Sequence, residues 1–506
     1  MTTNRPKRRI AMPAISAVIL SLAALPAAAQ TPVLPNPQFD QVKATIVDAV
    51  TGGRVPSISI AVAHKGKVIW EESFGWANRE KMVPATPDTM YSMASISKPL
   101  TTTGLMILVE QGRIDLKAPV NRYIAPARLT AYEGNADDAT ITRILNHTAG
   151  LPVHYSAFHQ DEPFAQPPAF PESIRRYGIL VHPPGTVYQY SNFAFGLADH
   201  IISKVSGRSY RDFMKTEVFL PLGMTHTAID AGGQLEECAA VRYDSRGNPV
   251  PFYISDHTGA SQAYASARDL IRFGLFHLKH RQPDQKPILS DATIDLMKQD
   301  SDPDPKNDRY GLGWFLKRDE YGYDVVWHTG SMNGTNTMIK FVPSADIAVV
   351  VLINTASDLR QKLANDVIGV LLPDYGAKWK LERDKPAERR EAFKPNAELV
   401  GEWAGEVITY EEKVPVTATV KPDGDVHIRI GSQLETLINR VRFEDGFLTG
   451  TSMGTIPSGD ARAHPHNISY RLLLEGTRLS GYVTTEFTAG RSYGNYSSYL
   501  RLDKKK

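Results

Sequence analysis

The chain has 506 residues, 42% of them apolar and 22% charged, with 57 Lys and Arg against 55 Asp and Glu. A length of this order sets an expectation of roughly two to four compact units, with cores that need neither disulfides nor metal, and the composition excludes collagen, coiled coil and bulk disorder. A formal charge of +2, with no long basic run outside the first ten residues, argues against nucleic acid as a partner.

The first thirty residues fall into three zones. Basic Arg5, Lys7, Arg8 and Arg9 precede an apolar run from Ile10 to Leu25, and Ala27-Ala28-Ala29 stands before Gln30. This pattern predicts a signal peptide over 1–29, cut after Ala29, and a secreted or periplasmic product. Pro13 and Pro26 interrupt the apolar run, which fits a removed segment better than a permanent membrane span. The Arg8-Arg9 pair hints at twin-arginine export, without the rest of that signal.

From Val55 the text alternates through His64, turns at Lys65-Gly66-Lys67 and resumes to Gly75, a β-hairpin. The middle of the chain is helical in pattern: an amphipathic stretch from Leu100 to Gln111, then Phe193 to Val205 and Ala267 to Leu278. Short β-branched runs follow at Asp324 to Trp327, Asn336 to Phe341 and Ile347 to Ile353, then a helical stretch from Leu359 to Leu372. Strands at both ends of a helical middle predict an α+β unit over 36–374, one antiparallel sheet flanked by helices, with the first hairpin paired to the late strands. Residues 375–395 read as a linker, because the charged stretch Lys378 to Arg390 shows no continuous apolar face. Short alternating segments such as Val416 to Val420, Val426 to Ile430 and Tyr470 to Leu474 then predict a small C-terminal β-barrel over 396–506.

Three short motifs carry candidate chemistry. In Ser95-Ile96-Ser97-Lys98 the serine stands at a helix start with the lysine one turn on, along the same face. A serine hydroxyl needs a base before it can attack a carbonyl, and a desolvated amine can serve; the same spacing also arises by chance around a plain capping serine. In Tyr190-Ser191-Asn192 the phenol can carry a proton, its pKa lowered by a nearby ammonium, and Asn192 can bond Lys98 and a substrate amide. Each is equally a core tyrosine or a helix cap when taken alone. His328-Thr329-Gly330-Ser331 ends a strand, and the Ser331 and Ser95 N–H groups would make an oxyanion hole if that edge lines the site. His257-Thr258-Gly259 repeats the triplet without a comparable strand before it and reads as a loop.

Taken in order, the three motifs resemble those of serine β-lactamases and penicillin-recognising hydrolases of the class C, CubicO-like group. Leu145-Asn146-His147-Thr148-Ala149-Gly150-Leu151-Pro152, Tyr264 to Leu270 and Tyr310 to Trp314 are similar to that family too. The resemblance implies an acyl-enzyme on Ser95, with Lys98 and Tyr190 managing its proton, and Asn192, His328, Thr329, Gly330 and Ser331 on the substrate side. It implies no metal and no other cofactor. The third motif begins with His328 where β-lactamases and transpeptidases usually carry Lys. An imidazole near its ordinary pKa of about 6.5 is mostly neutral at pH 7. The loss of that cation ranks hydrolysis of peptides, D-amino-acid amides or small esters above a class C-like β-lactamase, with a non-catalytic penicillin-binding-like sensor as a third reading. Gly401-Glu402-Trp403 resembles the start of a lipocalin-like domain, expected to be filled by its own side chains and to act as a lid or a homo-oligomer contact.

The remaining features read as structure. The lone Cys238 is expected at or near the surface, His464-Pro465-His466 as a surface loop, and Asp302-Pro303-Asp304-Pro305 as a solvated turn. Phe158 to Phe170 reads as a long loop bordering the pocket.

Overall fold

The computed structural model describes residues 36–159, 167–229, 235, 238–300, 309–386, 392–460, 466–489 and 492–505. The expected signal peptide, the Asp302-Pro303-Asp304-Pro305 turn and His464-Pro465 lie outside the described residues. Among the described residues no helix is long and apolar enough to cross a membrane.

An eight-stranded antiparallel sheet forms the first unit, and Ser57–His64 pairs with Ile347–Ile353 in its interior. Both strands are buried on both faces: Ile58, Ile60 and Val62 enter one core with Val349, Val351 and Ile353, while Ala61 and Ala63 enter the other with Ala348, Val350 and Leu352. The period of two sends successive side chains to opposite layers, so these runs read as almost wholly apolar. Helices Asp40–Thr51 and Leu359–Leu371 cover one face, and Ser97–Glu110, Asn192–Ser206 and Ala267–His277 belong to the core on the other. The expected pairing of the first hairpin with the late strands is present, in register Ile60 opposite Val351 and Ile60 opposite Glu72.

Two local readings change. The stretch read as amphipathic, Leu100 to Gln111, belongs to helix Ser97–Glu110, which is buried all round from Ser97 to Leu108. Thr101, Thr102 and Thr103 each return their hydroxyl to the carbonyl four residues back, which lets polar residues sit inside the core. Lys378 to Arg390, read as linker, begins inside the helix Pro373–Arg383. That helix docks through Tyr375, whose hydroxyl donates to Glu320 Oε1 at 2.6 Å, and through Trp379 one turn on, bonded to Asp366 at 2.9 Å. Two inward residues four apart in a charged sequence are too narrow a stripe to stand out as an apolar face.

Residues 401–504 form a nearly closed meander in which the first strand, Gly401–Ile408, pairs with the last, Ser492–Lys504. Trp403, Val407, Ile428, Ile468, Leu472 and Leu500 fill its interior, which keeps a cavity of only about 20 Å³. The last strand also pairs with Tyr155–His159 of the first unit, Asn495 opposite Tyr155 and Gly494 opposite Ser156, so one ladder joins the two units. Thus part of the stretch expected as a loop is a strand up to His159, and Phe170–Tyr177 is a helix.

Candidate active site

Ser95 sits in the 3-10 turn Ala94–Ile96 that runs into helix Ser97–Glu110. Ala94 has φ 44°, a left-handed conformation uncommon for a residue with a Cβ, and the surrounding chain holds it. Met93 N–H donates to the Ala263 carbonyl at 2.8 Å, while Thr335 and Thr337 hydroxyls donate to the Ser92 and Met93 carbonyls at 3.0 and 3.2 Å. Ser95 is the partly exposed residue in an otherwise buried run from Tyr91 to Leu100, and it opens into a cleft of about 740 Å³.

Lys98 is fully buried beneath it. Its Nζ lies 3.2 Å from Ser95 Oγ, 2.8 Å from Asn192 Oδ1 and 3.1 Å from the Ala260 carbonyl oxygen. Burial holds the amine well below the usual lysine range. A neutral amine has two N–H donors and one lone pair. In its neutral form Lys98 would give its two donors to the two carbonyl oxygens, both pure acceptors, and turn its lone pair to the serine hydroxyl, the arrangement a general base requires.

Tyr190 shares a hydrogen bond with Ser95, and its ring centroid lies 4.8 Å from Lys98 Nζ. The expected downward shift of its pKa is reversed: burial raises it, more than the bond to Ser95 lowers it. The phenol therefore keeps its proton at neutral pH and is suited to donating one. Asn192 is the first residue of helix Asn192–Ser206, and the cap is Ser191, whose Oγ accepts from Ala194 N–H at 3.3 Å. His147, at φ 62°, accepts from Ser191 N–H through Nδ1 at 3.1 Å, and its ring packs at a tilt 4.2 Å from that of Tyr190, which fixes the Tyr190-Ser191-Asn192 loop.

The third motif lies inside strand Tyr323–Met332 and does not face the cleft as a block. His328 is buried behind it. Its Nδ1 faces the Thr329 carbonyl at 2.8 Å, so Nδ1 carries the hydrogen and Nε2 accepts from Tyr310 OH at 3.0 Å. Burial, with Lys98 nearby, pushes the imidazole down to about 3, far below the ordinary value expected from sequence. Thr329 is half-buried outside the cleft lining, and Ser331 is the member of the motif that lines the cleft, with Met332 and Asn333. His328 is thus turned away from the pocket wall: the strand alternates, His328 shares the inward side with Gly330, and Thr329 shares the other side with Ser331.

Gly330 has a measurable task. A Cβ there would stand 2.0 Å from the Met93 carbonyl oxygen and 2.3 Å from Thr337 Oγ1. The strand can approach the nucleophile turn only without a side chain at this position. Gly330→Ala is expected to cost about 1–3 kcal/mol of stability and to lower acylation of Ser95, read by thermal melting and by the rate of labelling.

The buried imidazole also makes a pH prediction. His328 binds a proton near pH 6.5 when unfolded and near 3 when folded, so between those values the unfolded state holds more protons. Its contribution is complete above about pH 6.5 and is lost as pH falls towards 3, roughly 5 kcal/mol over the whole interval. Melting temperatures should fall through this window, and His328→Gln should flatten the fall.

Several participants were not legible in sequence. The segment set aside as a decoy is close to the chemistry: His257 is in a loop as expected, but fully buried, with Nδ1 2.6 Å from Asp256, and it caps the short helix Thr258–Ser261 that carries the Ala260 carbonyl. Tyr155, His159 and barrel residue Asn495 line the same cleft as Ser95 and Ser331. Their separation in sequence hid this. Cys238 is exposed, and His466 is buried at the start of a strand instead of lying on a surface loop.

His154, Asp256 and His257 bring possible ligand atoms within 4.8 Å of one another. Asp256 already accepts from Ser156 Oγ at 2.6 Å, Ser173 Oγ at 2.5 Å and His257, so the carboxylate is satisfied by protein donors.

The family described as Beta-lactamase matches residues 42–371. Protein flp of Staphylococcus aureus (strain COL) is 27% identical over 337 residues, 65% of this chain and 66% of its own length. The chain thus spans just under two thirds of that relative. Unguisins hydrolase ungD' of Aspergillus campestris is 30% identical over 321 residues, 60% of this chain and 59% of its own. In fold, the chain is similar to the octameric penicillin-binding protein homologue from Pyrococcus abyssi, with a TM-score of 0.58 and 21% identity over 91% of this chain and 99% of that one. A class C beta-lactamase gives a TM-score of 0.54 and 18% identity over 70% of this chain and 97% of its own.

Proposed function

The chain belongs to the Beta-lactamase family, and from that premise we propose that it is an exported serine hydrolase that cleaves amide or ester bonds of peptides, D-amino-acid amides or small esters through an acyl-enzyme on Ser95. The observation that carries the reading is Lys98 Nζ at 3.2 Å from a partly exposed Ser95 Oγ, with its two other close neighbours both acceptors. Ser95 Oγ attacks the carbonyl carbon as its proton passes to Lys98. The tetrahedral oxyanion is held by the Ser95 and Ser331 N–H groups. Collapse breaks the bond to the leaving amine or alcohol, which takes a proton from Tyr190, and Lys98 restores that proton. Water then attacks the ester by the reverse sequence and releases the acid. The family resemblance supports this reading without any metal or cofactor.

His328 supplies no positive charge to a substrate, which favours amides and esters over β-lactams. The barrel supports substrate choice in this reading, because Asn495 reaches the same cleft as Ser95; a lipocalin-like ligand pocket has little room in an interior of about 20 Å³.

Intact-protein mass after exposure to p-nitrophenyl acetate, D-alanyl amides, a penicillin and a chromogenic cephalosporin tests the proposal, with the modified residue mapped. Transient acylation at Ser95 with turnover of esters or amides is the expected result. Steady cephalosporin hydrolysis in its place would assign a β-lactamase, and an adduct that never releases would assign the sensor.

A further inference from the structure

We propose that the groove between the barrel and the hydrolase unit is a second binding site, for a free amino acid with an apolar side chain, in which Arg471 holds the carboxylate. The site lies apart from the acylation cleft, and binding there does not rest on the reaction proposed above. If that reaction holds, cutting a peptide bond in the neighbouring cleft releases a ligand of this class.

The groove has a volume of about 570 Å³ and shares no lining residue with the cleft at Ser95. One wall is the outer face of barrel strands Phe447–Gly454 and His466–Glu475, where Thr449 stands opposite Arg471. Leu448, Tyr470 and Leu472 turn into the barrel core, so strand alternation sends Phe447, Thr449 and Arg471 outward. The other wall carries Tyr188 and Phe315 of the hydrolase unit. Phe315 stacks on Trp327, with ring centroids 4.3 Å apart, and lies parallel to the Tyr190 ring at 6.2 Å, so this apolar surface is formed before any ligand arrives.

Arg471 has no partner for its charge. Its Nε is buried without a hydrogen bond, and among the described residues no acid is ion-paired with the guanidinium. Asp445 and Tyr482 act on it only at longer range. His182 beside it is neutral, its imidazole pushed down to about 4 by burial and by this cation. The guanidinium lies over the Phe447 ring, 3.8 Å from its centroid, which fixes its plane and leaves its N–H edge for a planar acceptor. A cation partly withdrawn from water without a partner is costly, and a carboxylate supplies the missing acceptors.

The rest of the lining selects the ligand. Glu444 and Asp445, exposed at the turn that leads into Phe447, bring two carboxylates to the rim of the groove. They oppose a phosphate or a sulfate, and they suit a molecule that carries an ammonium group beside its carboxylate. Phe315, Phe447 and Leu473 offer the apolar surface that its side chain needs.

Titration calorimetry on Ser95→Ala protein, which leaves amides uncut, tests the assignment with D- and L-leucine, leucinamide, N-acetyl-leucine and inorganic phosphate. Leucine, in at least one enantiomer, is expected to bind about tenfold more tightly than leucinamide or N-acetyl-leucine. Arg471→Met should abolish that binding without lowering the melting temperature, since it replaces an unpartnered cation with an apolar chain over Phe447. Thr449→Trp, which fills the groove from the position opposite Arg471 and keeps the guanidinium, should abolish it too. Leucine binding that survives either variant overturns the assignment, as does no binding up to about 10 mM, or phosphate binding as tight as that of leucine. None of these results bears on whether Ser95 is acylated, which the mass measurement decides separately.

Discussion

Ser95→Ala is expected to lower turnover of any ester or amide substrate by at least about 10⁴-fold and to abolish the acyl adduct, with the melting temperature unchanged within a few degrees. The size of the loss follows from the site's construction. Lys98 Nζ lies 3.2 Å from this hydroxyl, Tyr190 shares a bond with the same hydroxyl, and Lys98 bonds to no other serine among the described residues. Ser97, two residues on, is fully buried, and its Oγ accepts from Ala263 N–H at 2.9 Å, so it cannot substitute. Stability is spared because the turn is held by its backbone and by Thr335 and Thr337, not by the Ser95 side chain. Single-turnover mass spectrometry checks the first part and calorimetry the second. Retained adduct formation in the variant would place the nucleophile elsewhere.

The same construction explains which features were legible in the sequence. Strand Ile347–Ile353 is legible to the residue because an unbroken apolar run rich in Val and Ile between turn residues has few other readings. Ser95, Lys98, Tyr190 and Asn192 could be singled out because each is a reactive side-chain type in a short local motif. The Ala260 carbonyl could not: any residue supplies a carbonyl, and only the fold decides which one reaches Lys98. Nor could the direction of the Tyr190 shift, since local sequence shows the neighbouring cation but not the burial that outweighs it. His328 reads as a pocket residue in a triplet and becomes a buried one because strand alternation turns it towards Tyr310. Asn495 and Tyr155 meet across a ladder that joins the two units, and no periodicity within either segment records that partner.

Lys98→Met is expected to have the next largest effect, a fall in kcat/KM of about 10³-fold, accompanied by a change in pH dependence that a loss of packing alone would not produce. In the native protein the base must be unprotonated. Activity should therefore rise with pH through the pKa of Lys98, which burial sets well below that of a free lysine, and level off above it. Protonation of His328 lies too low to contribute to that limb near neutrality, and Tyr190 keeps its proton through it. Methionine fills a similar volume without a lone pair, so the ascending limb should vanish along with most of the rate. The variant also strips Asn192 Oδ1 and the Ala260 carbonyl of a donor, about 1–3 kcal/mol for each acceptor left unpaired. Removing a costly buried amine offsets part of that, so the melting temperature should move much less than the rate. Lys98→Ala supplies the complementary measurement: it leaves space where the amine stood, and added ethylamine should restore part of the activity, with a pH profile that follows the added base. An ascending limb that persists unchanged in Lys98→Met, with Tyr190→Phe abolishing it, would transfer the role of base from the lysine to the phenol.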